Sequence, residues 1–113
     1  MEEQIRSIIG LSNTYIGEAP IDLDNCQWIK PMSGRSKVHF GNGTYDYPNY
    51  VICCRGKNQQ EVRRRINVAY KSLQNYVGNN YVILIRRLPY YLGRDDNYRV
   101  IYKFEIEYQV GGY

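Results

Sequence analysis

The chain has 113 residues, 43% hydrophobic and 23% charged, with a formal net charge of +4. That composition belongs to a folded chain rather than a disordered one, and its length fits one domain, residues 1–113, with a modest core. No run approaches the length of a membrane span; acids stand where a basic leader would sit, so no secretory leader is expected.

Tyrosine is over-used, with 13 copies against 2 Phe. A large apolar ring with a polar tip suits half-buried surfaces and interfaces. Charge is polarised along the chain. Residues 1–25 hold Glu2, Glu3, Glu18, Asp22 and Asp24 against Arg6, whereas residues 55–71 hold Arg55, Lys57, Arg63, Arg64, Arg65 and Lys71 against Glu61. Such polarity fits contact with nucleic acid or a subunit that docks its acidic side on a neighbour's basic side. The plain alternative is two solvated faces.

Glu2 to Ile9 reads as a short helix, with Ile5, Ile8 and Ile9 on one face and Gly10 as its stop. Residues 14–24 read as irregular, punctuated by Gly17 and Pro20. A strand follows from Cys26 to Lys30, ended by Pro31. Residues 32–49, with Gly34, Gly41, Gly43 and Pro48, read as one long loop. Its neighbouring bases Lys30, Arg35 and Lys37 make it a candidate partner contact. Residues 50–55 are a strand of β-favouring side chains. Asn58 then caps the best helix in the chain, with Glu61 completing a capping-box pattern. Its apolar stripe is Val62, Ile66, Ala69, Tyr70, Leu73 and Val77, with Gly78 as its end. Successive helical residues rotate by about 100°, so Arg63, Arg64 and Arg65 spread charge around the outer half. Residues 81–85 are apolar on both faces and call for cover on both, a neighbouring subunit being one source. In the last strand Val100, Tyr102, Phe104, Ile106, Tyr108 and Val110 alternate with polar positions. The expected fold is therefore α+β: a two-layer sandwich of two helices on a mostly antiparallel four-stranded sheet, in the order α-β-β-α-β-β.

No catalytic or metal constellation stands out. His39 is the single histidine, and Cys26, Cys53 and Cys54 form no metal-binding or redox spacing, so reduced thiols and no cofactor are expected. Gly41-Asn42-Gly43 lacks the ending of a phosphate loop. Asp95 and Asp96 are adjacent, so their side chains diverge, and Asp and Asn between two strands read as turn formers rather than a carboxylate pair. Tyrosines interleaved with bases could stack on single-stranded nucleic acid, but alternating strand tyrosines fit a core or interface better.

Two stretches carry a family likeness: YPNYVICCRGKNQQEVRRRINVAYKSL and IRRLPYYLGRDDNYRVIYKFEIEYQV. Tyr47-Pro48 before a strand ending in Arg55-Gly56-Lys57, an amphipathic helix over 58–77, and Pro89 to Asp95 leading into an alternating strand resemble the tail-terminator or minor capsid proteins of long-tailed bacteriophages. The likeness also takes in the N-terminal helix and Tyr15-Ile16-Gly17. Asn97-Tyr98 stands where members often carry Asn-Gly, which implies a wider turn or Asn97 alone at positive φ.

The resemblance implies a non-enzymatic assembly part: a homo-oligomeric, usually six-fold ring that caps the head-proximal end of the tail tube, stops its growth and offers a surface for head–tail joining. It implies the tube protein and a head connector or stopper protein as partners, DNA passing through the lumen without sequence-specific binding, and residence in the virion after assembly in the host cytoplasm. Glu2, Glu3, Arg63, Arg64, Lys71, Arg94 and Asp95 are the candidate subunit contacts, with Lys30, Arg35 and Lys37 as candidate loop contacts. The other readings are a different neck component, such as a head-completion or stopper protein, and a small nucleic-acid-binding domain.

Overall fold

The structure is a computed structural model that describes the backbone of residues 1–40 and 43–110, and side chains over 1–32 and 48–110. In chain order the elements are α1 (Glu2–Ile9), β1 (Thr14–Ile16), β2 (Cys26–Phe40), β3 (Gly43–Gly56), α2 (Gln59–Leu73), β4 (Tyr81–Arg94) and β5 (Val100–Val110). The strands form one sheet in the order β1-β2-β3-β5-β4. The α+β class and the two helices are as expected. The four-stranded antiparallel sheet is not: β1 adds a fifth strand, parallel to β2, and the element order is α-β-β-β-α-β-β. Three residues are too few for alternation to register in sequence. β1 is held by tertiary partners instead, because the Gln27 amide nitrogen donates to Asn13 O and the Gln27 side chain donates to Ser12 O and Thr14 Oγ1.

The expected long loop is also replaced. Residues 32–40 and 43–49 are arms of β2 and β3, paired from Arg35–Pro48 out to Phe40–Gly43. β1 pairs with β2 only as far as Ile29, and β5 pairs with β3 only from Asn49. Beyond those limits, among the described residues, the two arms pair with each other alone, as a two-stranded ribbon. This explains the prolines that read as punctuation. Pro31 and Pro48 lie where their strands have one neighbour, and the register shifts after Pro31, so a missing N–H costs little.

Both helices pack on one sheet face. In α1, Ile5 and Ile9 are buried and Gly10 closes the helix at φ 68°, its N–H donating to Arg6 O. In α2, Asn58 Oδ1 accepts from Glu61 N, but the Glu61 carboxylate bonds Arg64, so the capping box is half formed. The helix stops at Leu73, earlier than expected: Gln74 is extended, Asn75 has φ 56°, and Val77 lies outside the core at 74% exposure. Gly78 sits under the Tyr81 ring, where a Cβ would come within 2.2 Å of it. Tyr81 in turn stacks between Tyr76 and Tyr108, with centroids 6.0 and 4.7 Å away.

The core joins Ile5 and Ile9 to Val62, Ile66, Ala69 and Leu73 of α2 and to Ile29, Tyr50, Ile52, Cys54, Ile83, Phe104, Ile106 and Tyr108 of the sheet. By strand alternation, Trp28, Val51, Cys53, Arg55, Lys103, Glu105 and Glu107 face the other way. Of β4 only Ile83 is buried, because β4 is an edge strand and not the doubly covered strand its apolar run predicts.

Candidate functional site

The tandem arginines of α2 part company at once. Arg63 and Arg64 are exposed, and Arg64 closes onto Glu61 in the same helix. That pairing holds the Glu61 carboxyl below its ordinary range, the Arg64 hydrogen bond outweighing a small opposing burial. Arg65 is buried, contrary to the expected spread of charge around the outer half. Its guanidinium donates to Cys26 O, Gln27 Oε1 and Arg55 O. A signal for this was present in the sequence: Arg65 stands three residues after Val62 and four before Ala69, inside the apolar stripe.

Two more arginines are buried on the opposite face, and nothing in the sequence pattern marks them. Arg55 lies over the Trp28 ring at 5.3 Å and donates to Pro20 O and Leu23 O. Arg99, 2% exposed, donates to Ile21 O and Leu23 O and pairs with Asp95 at 2.8 Å and Asp24 at 3.7 Å. Residues 20–24, expected as an irregular link, are thus a strap held against the helix-free face of the sheet through their own carbonyls. Asp24 also meets Lys57 at 3.5 Å, so part of the acid–base polarity is satisfied within one chain.

The turn after β4 carries out the role read from Asp95. Its Oδ1 accepts from Asn97 N and Arg99 N, and its Oδ2 accepts from Arg99 Nε. Burial raises the Asp95 pKa, but the Arg99 backbone and side-chain hydrogen bonds and the Asn97 amide outweigh it, and the carboxyl stays below its ordinary range. The residue at positive φ is Tyr98, at 59°, not Asn97. Tyr98 is 77% exposed. Arg94 is exposed and donates to Tyr98 O at 3.0 Å; among the described residues it has no acid partner.

The remaining candidates are scattered. Glu3 pairs with Arg6 inside α1, Glu2 is half-buried, and Lys71 is exposed on α2. Lys30 is exposed; the side chains of Arg35 and Lys37 lie outside the described residues, as does that of His39. On the helix-free face, arginines of β4 pair with acids of β5, while Leu84 of the apolar run stays 39% exposed. Arg86 reaches the buried Glu107 at 3.1 Å, and Arg87, itself packed over Tyr90, reaches Glu105 at 3.9 Å. The three cysteines are free and buried; burial pushes Cys53 to about 11 and Cys54 to about 12. Such thiols are poor nucleophiles at neutral pH. Among the described residues no group of His, Cys, Asp or Glu is placed to hold a metal ion, and no helix is long and apolar enough to cross a membrane.

Among the described residues the arrangement offers a sheet with β1 and β4 as its edge strands, a ribbon reaching past it, and exposed charge on α2. A family model described as bacteriophage tail terminator protein matches residues 4–110. No curated protein matches the chain. A chain of the solved structure described as "Virion of native gene transfer agent (GTA) particle" shares its fold at a TM-score of 0.62 and 11% identity, over 96% of this chain and 84% of that one. Matched from α1 to the end of β5, the chain belongs to the bacteriophage tail terminator protein family.

Proposed function

We propose that the chain is a single-domain, non-enzymatic subunit that closes into a six-fold ring on the head-proximal end of a phage tail tube. The ring stops tube growth, offers the joining surface to the head connector or stopper protein, and lets DNA pass through its lumen. The observation that carries this reading is the family match over residues 4–110. The fold shared with a virion chain supports a place in the particle after assembly in the host cytoplasm.

The β2–β3 ribbon supplies the contact with the tube protein in this reading. A two-stranded ribbon is marginal in water by itself, so a long one gains from a partner. Lys30 stands at its base, with Arg35 and Lys37 along it. Removing residues 34–43 is expected to keep the fold, because among the described residues the ribbon arms pair with each other rather than with the rest of the sheet, and to impair capping; an unfolded deletion protein would make the ribbon structural instead.

The decisive experiment combines the purified chain with its tube protein and follows tube length by electron microscopy, beside mass measurement of the chain alone. Rings and tubes of fixed length are expected. Tubes that keep growing with the chain present would overturn the terminator reading. Normal tubes that fail only to join heads would point to a stopper role.

A further inference from the structure

The edge strands of the sheet are β4 and β1, at opposite ends of its strand order. The start of β4 is covered by residues 76–78, with Ile83 N donating to Tyr76 O and Val77 bridged to Val82; from Leu84 on, no further strand pairs with β4 among the described residues. The two edges differ in charge. β4 holds Arg86, Arg87 and Arg94 and no acid. On the other side, residues 14–24 hold Glu18, Asp22 and Asp24 and no base, and α1, packed on β1, adds Glu2 and Glu3 against Arg6.

The β4 edge is also apolar where an edge is normally protected. Leu84, Leu88, Tyr91 and Leu92 are 39%, 64%, 48% and 53% exposed. Register shifts fall between Ile85 and Arg87, Arg87 and Tyr90, and Tyr91 and Gly93. Leu88 and Leu92 lie inside two of them, where β4 has more residues than β5. Bulges and an edge proline, here Pro89, spoil a strand as a template for continued pairing. The extra residue at the first shift is Arg86, but the other two shifts leave Leu88 and Leu92 facing water. Single exposed apolar residues are ordinary, but Leu88, Tyr91 and Leu92 fall within five consecutive residues of one edge strand.

We propose that the β4 edge of one copy docks on the β1 edge of a second copy of this chain, through the side chains of Leu88, Tyr91 and Leu92 and the charge of Arg94 toward Glu18. The assignment rests on the ring reading above and names its contact surface. Charge selects the pairing: β4 on β4 sets arginine on arginine, β1 on β1 sets acid on acid, and β4 on β1 matches signs. Contact between two different patches is heterologous, the kind that propagates and closes into rings. Arg94 is the natural lead because it has no acid partner in its own chain among the described residues, whereas Arg86 and Arg87 already reach Glu107 and Glu105.

Cross-linking tests the assignment. The three native cysteines are buried, so introduced thiols are the accessible ones. Leu92→Cys and Glu18→Cys proteins are treated with a short bis-maleimide, separately and mixed. A linked dimer is expected in the mixture and in neither protein alone. Leu92→Cys linking to itself, or no link in the mixture while the wild-type chain forms rings, overturns the edge assignment and leaves the ring reading standing. A wild-type chain that stays monomeric both in solution and on tubes overturns the ring reading, and the assignment with it. As a second arm, Arg94→Glu is expected to weaken assembly about tenfold at low salt, with an unchanged unfolding temperature, and Arg94→Glu with Glu18→Arg to restore it. Unchanged assembly in the single variant overturns the proposal's charge pairing.

Discussion

Arg64 and Arg65 are neighbours on one helix and do opposite things. Arg64 stays in water and pairs with Glu61 one turn back, while Arg65 is buried among three oxygen acceptors from β2 and β3. The difference lies not in the residues but in what the rest of the fold offers them. A guanidinium carries five N–H donors in a fixed fork, so it can cross-brace segments that have carbonyls to spare. Arg55 and Arg99 do the same for the strap over residues 20–24. Buried arginine here holds backbone together; exposed arginine pairs with nearby acids, as Arg6, Arg64, Arg86 and Arg87 do, or, as at Arg63 and Arg94, has no acid partner among the described residues.

The largest effect should come from breaking that contrast at its centre. Arg65→Met leaves Gln27 Oε1 and two buried carbonyls without their donor, at roughly 1–3 kcal/mol for each unsatisfied group. A loss of about 3 kcal/mol or more is expected, read as a fall of roughly 10 °C in unfolding temperature. Arg64→Met is expected to leave that temperature unchanged. Equal effects would remove the distinction. Arg99→Met should come next, at about 2 kcal/mol, and it carries a local signature: the Leu23 amide, bonded to Pro20 O, should exchange faster because its strap is no longer pinned. A strap that exchanges as before would mean Arg55 alone holds it.

Asp95→Asn tests the same device from the acid side. The native carboxylate accepts three hydrogen bonds and pairs with a buried guanidinium, so about 1–2 kcal/mol should be lost at neutral pH. The carboxyl is held below its unfolded value of about 3.9, so its contribution is present above that pH and is lost as pH falls through the depressed value. The stability gap between wild type and variant should therefore close below about pH 4. A gap that persists in acid would place the effect in turn geometry rather than charge.

Much of this was legible in the sequence because the signals were local. The α2 stripe, its Asn58 cap, the Gly10 stop and the alternation of β5 each follow from residues within a few positions of one another. The Asp95 turn was equally readable, since Asx side chains bond backbone two residues on. What escaped was set by distant partners. β1 exists because Gln27 meets Asn13, Ser12 and Thr14. The ribbon exists because two glycine- and proline-marked stretches pair with each other. Arg55 and Arg99 are buried because a strap far off in sequence presents its carbonyls. Charge marks Arg63, Arg64 and Lys71 as candidate contacts and the family likeness marks Arg94, and only geometry separates Arg64, paired with Glu61, from Arg94, which has no acid partner among the described residues.

The smallest effect should come from the exposed cations of α2. Arg63 and Lys71 are exposed, and among the described residues neither has an ion-pair partner. Reversing both to Glu should change folding by no more than about 0.5 kcal/mol. If α2 faces a neighbour's acidic side in the ring, assembly should weaken by about twofold to fivefold, the scale of exposed charge pairs, and the loss should vanish at high salt. Arg94→Glu should exceed it, because the β4 edge joins its charge to exposed leucines that exclude water. A double reversal on α2 that damages assembly more than Arg94→Glu would move the ring contact from the sheet edge to the helix, and would make the outward leucines of β4 a surface for some other partner.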